Sequence, residues 1–388
     1  MRVMRTPRSA DLLITTRCNL RCKYCSHMTS AGDVDKDLPT DEWLRFFDEL
    51  GRLAVMDVCL QGGEPFIRED LKELIHGIVR NRMRFSILSN GTLVTDEMAE
   101  FLASTRRCDA VQISIDGSDP VSHDVFRGQG TFLRAVEGLK TLHRHDVTST
   151  VRVTIHRRNV TELDKIARLL LDDFGLPSFS TNAASYLGLC RKNRELVQLT
   201  TVERGLAMES LVQLSEKYEG RIGATAGPLA EVQLWTVMEQ ARLQSDYKVS
   251  DSGHLTGCNG PMTKMAVRAD GAMLVCGQLP GIVLGRINED PLDRVWQRHP
   301  VLTTFRERHD IPLSSFDFCR DCGYIKFCTG GCPALAFTTM GDPHHPSPDS
   351  CFRLFLEDGG ALPPLMPECD QAGCRSGTPS AARGVPRN

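Results

Sequence analysis

The sequence predicts an α/β fold, in which a parallel sheet with crossover helices is followed by a small cysteine-rich domain. Strand-like and helix-like segments alternate from residue 11 to about residue 184. Parallel strands need a crossover connection, usually a helix, so this alternation favours a parallel sheet. Seven further cysteines are concentrated between residues 258 and 351, which indicates metal or redox chemistry in the second unit.

Six short runs have the composition of strands. They lie at residues 11–16, 55–61, 85–89, 110–115, 150–155 and 179–183. The runs between them place apolar residues at helical spacing, as in Trp43, Phe46, Phe47 and Leu50. This pattern suits a partial β/α barrel, but a doubly wound sheet has the same periodicity and the period alone does not separate the two.

The overall composition limits the kinds of partner. The chain has 388 residues, enough for two domains, and a net charge of -3, so no global field attracts it to nucleic acid or anionic lipid. The sequence has neither a run that could span a membrane nor the apolar core of a signal peptide, and we expect a cytoplasmic protein. In that reducing compartment fifteen cysteines favour metal or redox chemistry over disulfides.

Three cysteines, Cys18, Cys22 and Cys25, follow the first predicted strand in a CxxxCxxC spacing. A 4Fe-4S cluster normally has four thiolate ligands, so three leave one iron open to a chelating ligand. Half of a zinc site, or a group of buried thiols, would have the same spacing.

The second predicted strand ends in Gly62-Gly63-Glu64-Pro65. With the CxxxCxxC loop after the first strand, this motif resembles the radical SAM superfamily. The resemblance implies a partial (β/α)6 TIM-like barrel with its chemistry at the carboxyl ends of the strands. It also implies that the cysteine loop holds a 4Fe-4S cluster that binds S-adenosylmethionine (SAM), and that the GGEP motif holds the amino group of SAM. The turn at residues 89–92 could face the same mouth.

The same resemblance implies further SAM contacts near the other strand ends. Ser114 and Asp116 would approach the ribose and the carboxylate of SAM, because alternation points both to one side. Arg127 and Arg152 are competing candidates for the carboxylate partner, and Tyr24 would lie near the adenine.

The seven downstream cysteines and Gly271 resemble the SPASM domain in their spacing, although the CxxC pairs alone would also suit a zinc ribbon. The resemblance divides the cysteines between two auxiliary 4Fe-4S clusters. The first set is Cys258, Cys276 and Cys332, and the second set is Cys319, Cys322, Cys328 and Cys351. The first set lacks a fourth cysteine, so its iron is either open or bound by another ligand such as Cys190 or a tail cysteine.

The remaining cysteines have no motif. Packing is the default for Cys59 and Cys108. Cys190 follows the sixth strand, near the expected substrate entrance, and is a tentative hydrogen-atom donor or substrate contact. Cys369 and Cys374 lie in a tail rich in Pro, Gly, Ser and Arg that we expect to be disordered.

Four segments follow from these motifs. We expect a radical SAM core barrel at residues 8–200, a helical bridge at 201–250, a SPASM auxiliary-cluster domain at 251–358 and a disordered tail at 359–388. Two helical runs, at about 200–218 and 227–243, occupy the bridge.

The resemblance implies an oxidoreductase that reductively cleaves SAM to a 5'-deoxyadenosyl radical, which abstracts hydrogen from a substrate C-H bond. Auxiliary clusters can accept the electron left on the product radical, which favours net oxidation. A flavodoxin or ferredoxin type protein is the expected electron donor.

The substrate expected from the resemblance is a peptide or protein that is cross-linked, oxidised or epimerised. Only about ten residues precede the first strand, so a separate peptide-recognition protein is expected. Sulfatase maturases have an aspartate where this chain has Gly277, which counts against formylglycine formation by the same base. The alternatives are oxidation of a small molecule or tetrapyrrole side chain and, outside catalysis, a zinc-stabilised binding module or an iron-sulfur electron carrier.

Overall fold

A computed structural model describes residues 3–26, 37–244 and 252–364 of the chain. Within these residues ten strands form one continuous sheet. The strands are β1 (Ser9–Thr15), β2 (Asp57–Gly62), β3 (Arg84–Ser89), β4 (Cys108–Ser114), β5 (Ser149–Ile155), β6 (Phe179–Ala183), β7 (Ile222–Ala224), β8 (Lys264–Val267), β9 (Ala272–Leu274) and β10 (Val283–Arg286).

Fifteen α-helices accompany the sheet in the described residues. They are α1 (Thr40–Arg52), α2 (Leu71–Arg80), α3 (Asp96–Thr105), α4 (Pro120–Arg127), α5 (Thr131–Arg144), α6 (Leu163–Arg168), α7 (Gly188–Lys192), α8 (Arg194–Val197), α9 (Thr201–Lys217), α10 (Pro228–Leu243), α11 (Gly260–Thr263), α12 (Leu292–Arg298), α13 (Pro300–Arg306), α14 (Pro333–Met340) and α15 (Phe352–Glu357).

The sheet follows the order β10-β9-β8-β1-β2-β3-β4-β5-β6-β7. From β1 to β7 every neighbouring pair is parallel. Strand order therefore follows chain order through this part, whereas a doubly wound sheet reverses at a switch point. The predicted α/β fold with a partial barrel is confirmed, and the barrel is open rather than closed.

All six predicted strands are present, but the sheet is larger than predicted. Strand β7 lies in the segment interpreted as a helical bridge and pairs with β6. On the opposite edge β8 pairs in parallel with β1, and β9 and β10 continue the sheet in antiparallel pairs. The cysteine-rich segment therefore extends the sheet of the barrel. Strands of three or four residues carry little local signal, because their pairing depends on distant partners.

Side chains alternate between the two faces of each strand. Leu12 and Leu60 are fully buried in the main hydrophobic core, together with apolar side chains of the surrounding helices. Gln61, Gln112 and Arg152 instead line a cavity at the concave face. The fold therefore presents polar side chains from several strands to this cavity.

Part of the predicted tail is outside the described residues. Residues 359–364 are described, while residues 365–388, including Cys369 and Cys374, are not. No helix in the described ranges is both long and apolar enough to cross a membrane.

Candidate functional site

The CxxxCxxC loop lies at the mouth of a cavity of about 360 Å³ at the carboxyl ends of the parallel strands. Cys18, Cys22 and Cys25 all line this cavity. Burial raises the pKa of Cys22 to about 12; Arg127 opposes this shift, and the Cys25 and Cys18 thiols add to it. The structure therefore brings the three predicted cluster cysteines together beside an open cavity with both polar and apolar lining.

Two glycines hold the end of β2 against the beginning of the cysteine loop. The Gly63 N–H donates to the Thr15 carbonyl at 2.7 Å, and the Glu64 N–H donates to the Arg17 carbonyl at 2.9 Å. A Cβ atom on Gly62 or Gly63 would overlap the carbonyl oxygen of Thr15 or Arg17, respectively. Gly62 also has a φ of +137°, which favours glycine. Close backbone approach is thus the structural requirement behind the glycine pair.

The Glu64 side chain differs from its predicted position. Glu64 is fully buried and is not among the residues that line the cavity. Its carboxylate accepts hydrogen bonds from the Ser89 hydroxyl and the Asn90 N–H, both at 2.8 Å, and from the Phe66 N–H at 3.2 Å. Glu64 therefore fixes the end of β3, and its predicted contact with the amino group of SAM stays a prediction. Pro65, which follows it, is buried and begins a 3₁₀ turn.

Asn90 connects that strand end to the cysteine loop. Its side-chain amide donates to the Asn19 side-chain oxygen at 2.9 Å and lies 3.9 Å from the Cys18 sulfur. The Asn19 amide in turn donates to the Thr92 hydroxyl at 2.8 Å. The turn at residues 89–92 thus faces the mouth, as the sequence indicated.

Asp116 also differs from its prediction. Strand β4 ends at Ser114, and only Ser114 of the two residues lines the cavity. Asp116 is fully buried, where it pairs with the Arg127 Nε at 2.5 Å and accepts hydrogen bonds from the Tyr24 hydroxyl and, at 2.8 Å, the Thr154 N–H. Alternation stops where the strand stops, so the carboxylate turns into the wall behind the cavity.

The buried surroundings keep Asp116 ionised. Burial alone would raise the pKa of this carboxyl, but the Arg127 guanidinium holds it below its usual value. Two neighbouring histidines, His123 and His156, have a pKa lowered to about 4 by burial, so both are neutral near pH 7. Arg127 and Tyr24 both line the cavity. The charge of Arg127 is compensated there by its ion pair with Asp116.

Arg152 is the less compensated of the two arginines at the cavity. It lines the cavity from β5, directly opposite Ser114 in the strand register. Its buried Nε has no hydrogen-bond partner among the described residues. Burial lowers the pKa of Arg152, against a smaller opposing effect of the Cys59 thiol. An anionic group in the cavity would satisfy this guanidinium.

Cys190 does not meet the requirement for a hydrogen-atom donor. Its side chain is fully buried in a cluster with Tyr24 and Phe126, and it does not line the cavity. The Cys190 N–H donates to the Cys25 carbonyl at 3.3 Å. Cys190 thus supports the first cysteine loop, without the access that substrate contact requires.

The first auxiliary set comes together in the grouping that the resemblance implied. Burial raises the pKa of Cys276 to about 11, and the neighbouring thiols of Cys258 and Cys332 add to this shift. Cys190 lies next to Cys25 instead, which argues against it as the fourth ligand of this set. Gln278, which sequence reasoning did not identify, lines the cavity two residues after Cys276. This set therefore adjoins the cavity.

The second auxiliary set lies in a separate place. Four cysteines line one small space of about 30 Å³, namely Cys319, Cys322, Cys328 and Cys351. Burial raises the pKa of Cys319 to about 12, and the other three thiols add to this shift. The ten cysteines thus form three groupings in the division that the sequence resemblance implied.

The groupings fit iron-sulfur clusters. Four of the cysteine sulfurs accept a hydrogen bond from the backbone N–H two residues later, and such bonds favour a thiolate and tune cluster potentials. These sulfurs belong to Cys18, Cys258, Cys276 and Cys328, at donor distances of 3.3 to 3.4 Å. No group of three His, Cys, Asp or Glu side chains in the described ranges could hold a single metal ion. A cube differs from such a site because each cysteine binds its own iron atom.

Two family models match the chain. The radical SAM superfamily model matches residues 12–170, and the SPASM model, an iron-sulfur cluster-binding domain, matches residues 258–323. The radical SAM match includes the first cysteine loop, with Cys18, Cys22 and Cys25. The SPASM match contains four of the seven downstream cysteines, Cys258, Cys276, Cys319 and Cys322, and ends before Cys328.

 

Several characterised relatives align along most of the chain. The AdoMet-dependent heme synthase of Methanosarcina barkeri is 26% identical over 355 residues, which cover 89% of this chain and 97% of that protein. The PqqA peptide cyclase of Rhizobium meliloti is 25% identical over 379 residues, 96% of this chain and 92% of the cyclase. The mycofactocin maturase MftC of Mycolicibacterium smegmatis is 29% identical over 354 residues, 87% of this chain and 80% of the maturase.

Solved structures share the fold. SuiB of Streptococcus suis, bound to the precursor peptide SuiA, has a TM-score of 0.69 and 17% identity, and the match covers 90% of this chain and 77% of SuiB. Native anSMEcpe with bound AdoMet and the Kp18Cys peptide has a TM-score of 0.66 and 17% identity, covering 90% of this chain and 96% of that one.

The chain belongs to the radical SAM superfamily and carries a C-terminal SPASM domain. It is a radical SAM enzyme, and its cofactors are SAM and iron-sulfur clusters. The non-enzymatic interpretations, a zinc-stabilised binding module and a simple electron carrier, are thereby set aside.

Proposed function

We propose that this enzyme modifies a peptide or protein by oxidative radical chemistry, using three 4Fe-4S clusters. Two kinds of observation support the proposal. The described cluster cysteines form three groupings, one at the cavity mouth and two in the cysteine-rich part. Relatives that align along most of the chain are named a peptide cyclase and a maturase.

We assign the SAM-binding cluster to Cys18, Cys22 and Cys25, which line the cavity. The first auxiliary cluster is assigned to the set that contains Cys276, beside the cavity, and the second to the set that contains Cys319. With one electron from the proposed donor, SAM bound at the first cluster would supply a 5'-deoxyadenosyl radical for hydrogen abstraction from a substrate C-H bond, with methionine as the other product.

The chain's own residues orient the reactants. We propose that Arg152 binds the carboxylate of SAM, because its guanidinium has no carboxylate partner among the described residues, while Arg127 is paired with Asp116. Ser114 lies opposite Arg152 and offers a hydroxyl to the same space. The buried Glu64 and Asp116 hold the walls, so that reacting groups are kept at short distance and away from water.

The substrate would occupy the part of the cavity next to Gln278, between the strand ends and the first auxiliary set. We further propose a separate peptide-recognition protein and an electron donor of the flavodoxin or ferredoxin type. The described cysteines are all free thiols, which supports a reducing compartment such as the cytoplasm.

The observation that carries the proposal is the position of the first cysteine set at the cavity mouth. Anaerobically reconstituted protein should contain about twelve iron atoms if all three sites hold cubes, and with dithionite it should convert SAM to 5'-deoxyadenosine. Cys18→Ala should abolish this conversion and retain the auxiliary iron. A short peptide encoded beside the gene should gain a mass change only with the active enzyme. Colourless protein with stoichiometric zinc would contradict the assignment.

An alternative substrate is a small molecule or a tetrapyrrole side chain, which the heme synthase relative supports. The mass assay separates the peptide substrate from this alternative. If the alternative holds, the peptide is left unchanged and a tetrapyrrole loses a side-chain carboxylate. Turnover of the peptide alone would exclude it.

A further inference from the structure

Arg308 is a buried arginine beside the first auxiliary set. It lies in the 3₁₀ turn Glu307–Asp310 and is only 3% exposed. Its Nε and one terminal nitrogen have no hydrogen-bond partner among the described residues. Burying an unpaired guanidinium is costly, so Arg308 needs an anion, and no carboxylate of the described residues lies within ion-pair distance of it.

The backbone holds this turn close to the cysteines. The Leu255 N–H donates to the Ile311 carbonyl at 3.1 Å, which connects the turn to the segment that leads into Cys258. The Gly257 N–H donates to the Thr329 carbonyl at 3.0 Å, which brings the approach to Cys332 alongside. The position of Arg308 is therefore set by main-chain pairing.

Three groups act electrostatically on the Arg308 guanidinium, namely the thiols of Cys258 and Cys332 and the carboxylate of Asp342. Asp342 is exposed and forms no ion pair with Arg308 within 4.0 Å in the described structure. Its side chain instead accepts a hydrogen bond from the His344 N–H at 2.8 Å. Among the three groups, the thiols of Cys258, which is exposed, and Cys332, which is partly buried, are thus the anionic partners available to Arg308 once they are ionised.

The arginines near the other two sets are compensated. Arg127, near Cys22, is paired with Asp116 at 2.5 Å. Arg353, near Cys319 and Cys351, is 29% exposed, lies 3.8 Å from Glu357 and donates to the Phe318 carbonyl. Of these three arginines, Arg308 alone combines deep burial with the absence of a carboxylate partner in the described residues.

We propose that Arg308 is a positioning residue that raises the reduction potential of the first auxiliary cluster. Cluster thiolates carry negative charge, and one-electron reduction adds one more unit. A buried cation beside them stabilises the reduced form more than the oxidised form. This set adjoins the cavity through Gln278. A raised reduction potential would therefore favour transfer of an electron from a substrate in the cavity to the cluster. The inference rests on the cluster assignment proposed above.

The test is a redox titration of the reconstituted full chain, followed by electron paramagnetic resonance. Cys258→Ala identifies the signal of the first auxiliary cluster by removing it. Arg308→Gln should lower the midpoint potential of that signal. We expect at least a tenfold change in the reduction equilibrium constant, which corresponds to about 59 mV for one electron. Arg308→Lys, which retains the charge, should restore most of the shift.

Arg353→Met is the matched control, because Arg353 lies by the other auxiliary set; it should leave the Cys258-dependent midpoint unchanged. An unchanged midpoint in Arg308→Gln with full iron content would overturn the proposal. Loss of the cluster in both Arg308 variants would also overturn it, in favour of a structural role. If Cys258→Ala removes no signal, the cluster assignment itself has failed.

Discussion

Asp116 and Arg127 form a buried ion pair, with 2.5 Å between Oδ2 and Nε, directly behind the cavity that the first cysteine set lines. The pair joins the residues after β4 to the end of α4. Through the Tyr24 hydroxyl it also reaches the cysteine loop. The geometry of the loop therefore depends on the carboxylate of Asp116, which does not line the cavity.

Asp116→Asn should destabilise the protein by about 3 to 5 kcal/mol, because it leaves the Arg127 charge buried without its partner. Urea unfolding of the purified protein measures this loss. Asp96→Asn is the matched control, since Asp96 pairs with Arg144 at the surface, and it should change the midpoint little. Equal effects of the two substitutions would contradict the buried-pair interpretation.

Glu64→Gln should alter the pH dependence of stability. Burial raises the pKa of Glu64 to about 7, from the ordinary value of 4.5. Between these values the folded protein holds a proton that the unfolded chain has released, so this group lowers the free energy of unfolding as the pH rises. The decrease amounts to about 3 kcal/mol.

Urea unfolding at several pH values between about 4.5 and 7 compares the wild type with Glu64→Gln, in which this decrease should be absent. Glu97→Gln serves as the control because Glu97 is exposed and pairs with Lys72 at the surface. Parallel pH profiles for the wild type and Glu64→Gln would show that Glu64 does not titrate in this range.

Gly63→Ala should displace the cysteine loop, because a Cβ atom there overlaps the Arg17 carbonyl oxygen. We expect reconstituted protein to lose the iron of the first site and most SAM cleavage, while the auxiliary iron stays. Gly281→Ala is the control, since a Cβ atom at Gly281 meets nothing within 4 Å. Full iron content in Gly63→Ala would contradict the close-approach argument.

Arg152→Met should weaken SAM binding by about tenfold to a hundredfold, the range expected for loss of a hydrogen bond to a charged group. Isothermal titration of the reconstituted protein with SAM measures the affinity. Arg191→Met is a suitable control, because Arg191 lines a neighbouring cavity and not the one that contains Arg152. An unchanged affinity in Arg152→Met would return the carboxylate role to Arg127.

Local patterns were sufficient for the six central strands, whereas the division of the cysteines depended on a family resemblance. Strands β1 to β6 have enough alternating or apolar residues to be recognised without knowledge of their partners. The groupings of Cys18, Cys276 and Cys319 with their neighbours were instead implied by the resemblance to the radical SAM and SPASM families, because the spacings alone also suited zinc.

The directions of the polar side chains required the tertiary structure. Glu64 and Asp116 were predicted to face SAM, but both are fully buried in hydrogen-bond networks. Their partners, such as Asn90 and Thr154, come from other strand ends that are distant in sequence. The same is true of Gln278, which reaches the cavity from the cysteine-rich part.

The sequence by itself determined the class of chemistry, because thiol spacing and glycine motifs record which ligands and which close backbone approaches the chain can provide. Only the tertiary structure decided which charges are compensated. Arg127 has its carboxylate, whereas Arg152 and Arg308 have none among the described residues. Pairing of buried charges depends on distances across the fold, and these distances are set when strands and loops far apart in the chain pack together.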